Sequence, residues 1–160
     1  MTFISILIPF KKGRRFLKDC LESVHEQGLD DFEIILIVNG ADEDIDDLVN
    51  FPDNIVIKEF DEELGVSKAR NEALKVAQGD YVYFIDSDDY WNADFVLREL
   101  IDKTLASDAD ITCFGYREYF DEENTYGKGI DNIALAQCSG EGFDLLEKMF
   151  SNGVFISSAC

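Results

Sequence analysis

The run Phe32-Glu33-Ile34-Ile35-Leu36-Ile37-Val38 is apolar at almost every position, with one charge near its start. Successive side chains of a strand point to opposite faces, so a run of this kind needs apolar cover on both sides. A sheet with one wetted face would alternate polar with apolar instead. Phe3–Pro9, Ile55–Phe60 and Tyr81–Ile85 read as three further strands. Between them the spacing turns helical. Leu17, Cys20, Leu21 and Val24 recur at i, i+3, i+4 and i+7, and Val66, Ala69, Ala73, Val76 and Ala77 mark a second helix that stops at Gly79. Strand–helix–strand alternation with apolar strands predicts an α/β fold, a mostly parallel sheet with helices on both faces. The same reading places a short acidic helix at Asp44–Asn50, closed by Pro52. It also places a helix capped by Asn92 with Ala93, Val96, Leu97, Leu100 and Ile101 on its face. A fifth strand over Asp110–Tyr119 and a last helix over Phe143–Phe150 complete it. A single domain spanning 1–160 is expected.

Charge narrows the partners. The 160 residues carry a net charge of −20, so nucleic acid and anionic membrane surfaces are repelled on average. No apolar stretch approaches the ~18 residues of a membrane span, and Met1 leads directly into a strand rather than a signal peptide. A cytoplasmic protein, free or peripheral at the inner face of a membrane, is expected. The four cysteines are widely spaced and His25 is the one histidine, which disfavours a zinc site. Cys20 and Cys113 fall in apolar patterns and read as core. His25 reads as structural. Gly-x-Gly-x-x-Gly, Gly-x4-Gly-Lys-Ser/Thr and Gly-x-Ser-x-Gly are all absent, which removes the main support for dinucleotide, P-loop and serine-hydrolase chemistry.

Ligands of open parallel sheets bind at the carboxyl ends of the strands. Three segments fall there. Asp86-Ser87-Asp88-Asp89 gathers three carboxylates directly after a buried-type strand. They would repel one another unless a cation lay among them, and oxygen ligands of this kind suit a hard divalent ion able to hold a diphosphate. With acids at 34 of 160 positions, the plain alternative is a solvated loop. Gly65–Asn71 reads as a helix start with Ser67 as cap, and its Lys68 and Arg70 suit a phosphate or a base edge. Lys11–Arg15 places four of fourteen positive charges in five residues, matched either by a bound anion or by surface acids. Trp91 reads as a hydrophobic lid over the strand end.

Taken together and in order, these segments resemble family-2 glycosyltransferases, inverting enzymes of the GT-A fold. The residues that carry the resemblance are Ile8-Pro9, the Leu17–Val24 helix, Glu33–Gly40, Gly65-Val66-Ser67-Lys68-Ala69-Arg70-Asn71 and Asp86–Asp89. It extends to about Tyr119 and thins beyond. It implies a Rossmann-like GT-A sheet, incomplete at its C-terminal end. The activity it implies is transfer of a sugar from a nucleoside-diphosphate sugar, a UDP-sugar first, to a glycan or lipid-linked acceptor, with Mn²⁺ or Mg²⁺ as cofactor. Pro9, Phe10, Lys11, Asn39, Arg70, Asp86 and Ser87 would bind the nucleotide sugar, and Asp88 and Asp89 the metal. The implied mechanism is single displacement at the anomeric carbon.

The sequence departs from the family at three places. Lys11 and Lys12 stand where the family has an aromatic residue and Asn. Asn39 stands where a carboxylate accepts from the uracil ring N–H; an amide accepts only through its oxygen. The general base and the acceptor segment are expected beyond Cys160, and the chain alone is expected to be inactive. Its last residues, Ile156–Cys160, lack a polar tail and read as a boundary inside a longer domain. The alternatives are a non-catalytic nucleotide-sugar-binding module and a sugar nucleotidyltransferase. The latter loses support because Lys11–Arg15 holds a single glycine.

Overall fold

The computed structural model describes residues 3–49, 54–92, 97–107, 110–112, 114–130, 140, 141 and 144. The order of elements is β1 (Ile4–Phe10), α1 (Arg14–His25), β2 (Phe32–Asn39), β3 (Ile55–Phe60), α2 (Val66–Leu74), β4 (Tyr81–Phe84), α3 (Leu97–Ser107), β5 (Tyr116–Phe120) and β6 (Thr125–Ile130). The chain divides into two compact units, the first running to Glu99 and the second from Leu100.

The first unit is a parallel sheet in the order β3-β2-β1-β4. Its two middle strands are the ones without alternation. All eight residues of β2 are buried, and six of the seven in β1. The edge strands β3 and β4 show the mixed exposure of strands with one open side. β1 connects to β2 on one side, whereas β3 crosses back over both to reach β4 on the other. Right-handed crossovers in opposite directions place α1 and α2 on opposite faces of the sheet. Leu7, Ile35 and Ile37 accordingly form one cluster with Ala69 and Ala73 of α2, joined by Phe60, Val76 and Phe84. Small alanines on α2 let that helix lie close to the strands. On α1 the spacing seen in the sequence is the buried stripe: Leu17, Cys20, Leu21 and Val24.

The end of the sheet away from the carboxyl ends is tied by a buried polar group. Ser5 Oγ donates to Glu33 Oε1 at 2.6 Å, and the same oxygen accepts from the Gln78 N–H at 2.7 Å. The Gly79 N–H donates to Ser5 Oγ at 2.9 Å, and a Cβ on Gly79 would lie 2.6 Å from the Ser5 nitrogen. Gly79 is therefore required by close approach of two backbones; α2 itself ends at Leu74, short of the stop expected at Gly79, so Val76 and Ala77 lie beyond the helix.

Residues 44–49 hold only a turn, closed by the Leu48 N–H on the Ile45 carbonyl at 2.9 Å, and not the acidic helix expected over Asp44–Asn50. The reason is local. Asp44 Oδ1 accepts from the Asp46 N–H at 3.0 Å, an Asx turn that competes with helix. α2 has its N-cap at Gly65, with no side-chain cap, so Ser67 lies inside the helix rather than at its start. Residues 93–96 and 145–150, Cys113 and Phe143 fall outside the described set. The Asn92 cap, most of the Phe143–Phe150 helix and the Cys113 assignment therefore rest on sequence alone.

In the second unit, the strand expected over Asp110–Tyr119 is the shorter β5, paired antiparallel with β6 in a two-stranded hairpin. The turn between them places Asn124 at φ 50°, a conformation Asn tolerates better than most residues. Its side chain accepts from the Tyr119 hydroxyl at 3.0 Å. β6 was missed because the two glycines of Thr-Tyr-Gly-Lys-Gly-Ile break the strand pattern that its Thr, Tyr and Ile would otherwise show.

Candidate functional site

At β1 the strand order reverses, because its neighbours β2 and β4 are reached by chains leaving in opposite directions. Such a switch point opens a crevice at the carboxyl ends. The ends of β1, β2 and β4 deliver Lys11, Asn39 and Asp86 to that side of the sheet.

The basic cluster is matched by the chain's own acids. Glu43 accepts from the Gly13 and Arg14 N–H groups at 2.7 and 2.8 Å, so the N-terminus of α1 already holds a carboxylate. Those two backbone donors keep Glu43 below the usual carboxylate range. Arg14 pairs with both oxygens of Asp47, and its Nε donates to the Asp44 carbonyl at 2.9 Å. Lys11 pairs with Glu63, and the Arg15 guanidinium lies 4.5 Å from the centre of the Phe16 ring. Of the two readings of Lys11–Arg15, Lys11 and Arg14 show the pairing with acids. Phe10 is fully buried, so at this strand end it can offer a ligand only its backbone.

Asn39 is buried, and its Oδ1 accepts from the Leu64 N–H at 2.7 Å. Gly40 follows at φ 63°, where an added Cβ would meet the Glu63 nitrogen at 2.6 Å. Asn39 and Gly40 thus form the floor under residues 61–65, the segment that leads into α2. One turn into α2, an Arg70 terminal nitrogen donates to Asp86 Oδ1 at 2.7 Å. The two side chains are only 16% and 15% exposed.

The ladder of β4 ends where the Ile85 N–H meets the Leu7 carbonyl at 3.2 Å. The chain then turns, with the Asp89 N–H on the Asp86 carbonyl at 3.0 Å. Asp86 and Ser87 are half-buried, and Asp88 and Asp89 are exposed. Asp89 is nonetheless crowded: desolvation first, then Asp88 and Asp86, push its carboxyl above the usual range. Beneath the turn, burial pushes the Cys20 thiol up, and the three aspartates add to the shift. That thiol is an inert core group. Trp91 is buried with its ring 5.3 Å from that of Tyr83, as the lid reading expected.

Among the described residues, no three His, Cys, Asp or Glu side chains converge as a ready-made metal site. With Asp86 engaged by Arg70, Asp88 and Asp89 are the carboxylates open to a cation. Their chemistry fits a hard ion, which would offset the desolvation and the carboxylate repulsion that raise Asp89 and would take further oxygens from its ligand. Glu43, Glu63 and Ser23 were not singled out from the sequence, and no local signal sets those two glutamates apart from the many other acids.

Four parallel strands in the order 3-2-1-4, with an acid turn at the end of β4, fit the GT-A glycosyltransferase fold that the solved relatives below share. The family model described as glycosyl transferase family 2 matches residues 5–157, and the chain belongs to that family. The chain is 31% identical over 131 residues to the uncharacterized glycosyltransferase EpsJ of Bacillus subtilis (strain 168), covering 79% of this chain and 37% of EpsJ. The structure of S. aureus TarS 1-349 superposes with a TM-score of 0.56 at 26% identity, over 67% of this chain and 32% of that one. The mannosyltransferase PcManGT of Pyrobaculum calidifontis, in complex with GDP-Man and Mn²⁺, shares the fold. Its TM-score is 0.56 at 22% identity, over 70% of this chain and 34% of that one. The chain spans under two fifths of the length of these proteins. No helix among the described residues is long and apolar enough to cross a membrane.

Proposed function

We propose that this chain binds the nucleoside-diphosphate end of a sugar donor and belongs to a metal-dependent inverting transferase. The observation that carries the reading is the Asp86–Asp89 turn at the switch point, with Asp86 held by Arg70 and two carboxylates left open beside it. Pro9, Phe10, Lys11 and Asn39 line the nucleotide side, with Phe10 contributing backbone. Asp86 and Ser87 face the donor, and Asp88 and Asp89 hold a Mn²⁺ or Mg²⁺ ion. When bound, that ion neutralises the charge developing on the nucleoside-diphosphate leaving group. Arg70 fixes the Asp86 carboxylate in place, and Glu63 must release Lys11 before Lys11 can meet a phosphate. The fold neighbour in complex with GDP-Man and Mn²⁺ supports this chemistry, and family membership makes UDP the first nucleotide to test. The acceptor would be a glycan or a lipid-linked glycan, met at or near the inner membrane face. No general base is assigned within the chain, which alone is expected to bind donor without transferring sugar.

Calorimetry with UDP, with and without Mn²⁺, tests the reading. UDP binds only with the metal present, and Asp88→Asn loses most of that binding. Binding of equal strength in chelator would show that the acid turn holds no metal.

A further inference from the structure

We propose that Ser23, on α1, is a positioning residue for the Asp86–Asp89 turn. Its hydroxyl donates to the Cys20 carbonyl at 2.8 Å and accepts from the Trp91 backbone N–H at 3.0 Å. Both bonds are buried. The start of the same turn is held by the Leu7 carbonyl on the Ile85 N–H, and the Cys20 thiol lies 3.7 Å from the Asp86 carbonyl. One face of α1 therefore grips the acid segment at both ends, one helical turn apart. Trp91 docks its ring on Tyr83 as well, so the exit from the turn is fixed by a side chain and by a backbone bond. Without the Ser23 oxygen, the Trp91 N–H loses its acceptor and the turn can open from its far end. Asp88 and Asp89 lie three and two residues before that anchor. Two carboxylates that share one cation must keep their spacing to about 0.5 Å, which a turn pinned at one end does not guarantee.

This assignment rests on the reading of the turn as the metal and diphosphate site, and Trp91 offers a readout independent of it. Trp91 is the single tryptophan of the chain, so intrinsic fluorescence reports the anchor directly. The experiment compares wild type, Ser23→Ala and Ser23→Thr, each checked for cooperative unfolding. Acrylamide quenching of Trp91 and calorimetric binding of UDP with Mn²⁺ are then measured. Ser23→Ala is expected to make Trp91 more accessible to acrylamide and to weaken metal-dependent UDP binding by about tenfold or more, as is typical when outer support of a metal ligand is lost. Ser23→Thr, which keeps the hydroxyl, is expected to restore both. If Ser23→Ala does not fold, Ser23→Cys replaces it, with a weaker acceptor of similar size and the same expected direction. Unchanged quenching and unchanged binding in a folded variant lacking the hydroxyl would overturn the role of Ser23 alone. Failure of wild type to bind UDP with Mn²⁺ would overturn the donor-site reading and this assignment with it.

Discussion

Replacing Arg70 by Met isolates what the Arg70–Asp86 pair contributes. Methionine keeps apolar bulk near Phe84, whose ring centre lies 5.7 Å from the guanidinium, so lost packing adds little. What changes is electrostatic. Asp86 is 15% exposed and would face Asp88 and Asp89 with no cation opposite. Unit charges about 4 Å apart attract by about 4 kcal/mol at an effective dielectric of about 20. Breaking a buried pair by removing one partner typically costs about 3–5 kcal/mol. Allowing for the sixth of each side chain that solvent reaches, Arg70→Met should destabilise the chain by about 2–4 kcal/mol. That is a large share of a typical stability of about 5–15 kcal/mol. Asp86→Asn in the same background removes the stranded charge, so the double variant should be more stable than Arg70→Met. Urea denaturation of all four proteins closes the cycle. A coupling below about 0.5 kcal/mol, the level of an exposed surface pair, would refute the reasoning.

The carboxyl of Asp89 is raised in the folded chain, so folding favours its protonated form; that stability is present at acid pH and is lost as pH rises through the raised value. Asp89→Asn should therefore raise the melting temperature of the metal-free chain at neutral pH and not at acid pH, and an equal gain at both would refute the assignment. Glu72 has the opposite sign: hydrogen bonds from Lys58 and Lys75 lower it from 4.5 to about 2, so its contribution is present above 4.5 and lost as pH falls through about 2. The stability gap between wild type and Glu72→Gln should be full at neutral pH and close at strongly acid pH, as read by denaturant midpoints. With Asn39 Oδ1 engaged by Leu64, little acceptor capacity remains for a uracil ring N–H. GDP, CDP or TDP should then compete with UDP within about tenfold, one hydrogen bond's worth of discrimination, and Asn39→Asp should shift the ratio toward UDP against CDP, which lacks a ring N–H, and not against TDP, which has the same one. A hundredfold preference in wild type would mean that other residues read the base.

The parallel sheet could be read from the sequence because β1 and β2 are middle strands, and their buried runs have no alternation that another fold could use. The α1 stripe was equally plain, since Leu17, Cys20, Leu21 and Val24 report one buried face. What escaped were features decided by pairing over long separations. Glu43 lies thirty residues from Gly13, and its docking depends on where a loop comes to rest, which no window of sequence records. The Asp44–Asn50 segment looked helical by composition, but Asp44 binds its own backbone nearby. At the site, the sequence indicated which strand ends meet. It did not indicate that Arg70 would take Asp86, or that Lys11 would rest on Glu63, because each choice depends on distances across the crevice.

The carboxylate seated on the first amides of α1 has a consequence for selectivity among small anions. A tethered group competes at the local concentration set by its tether, of order millimolar for a short flexible segment. Arg14, clasping Asp47 four residues further along, keeps Glu43 close to its seat. Inorganic phosphate, chloride or a stray carboxylic acid must outcompete a rival that never diffuses away. A phosphorylated ligand that docks with its own divalent ion on the acid turn, as proposed above, would not enter that contest. A chain this rich in acid thus fills a general anion cradle with one of its own side chains.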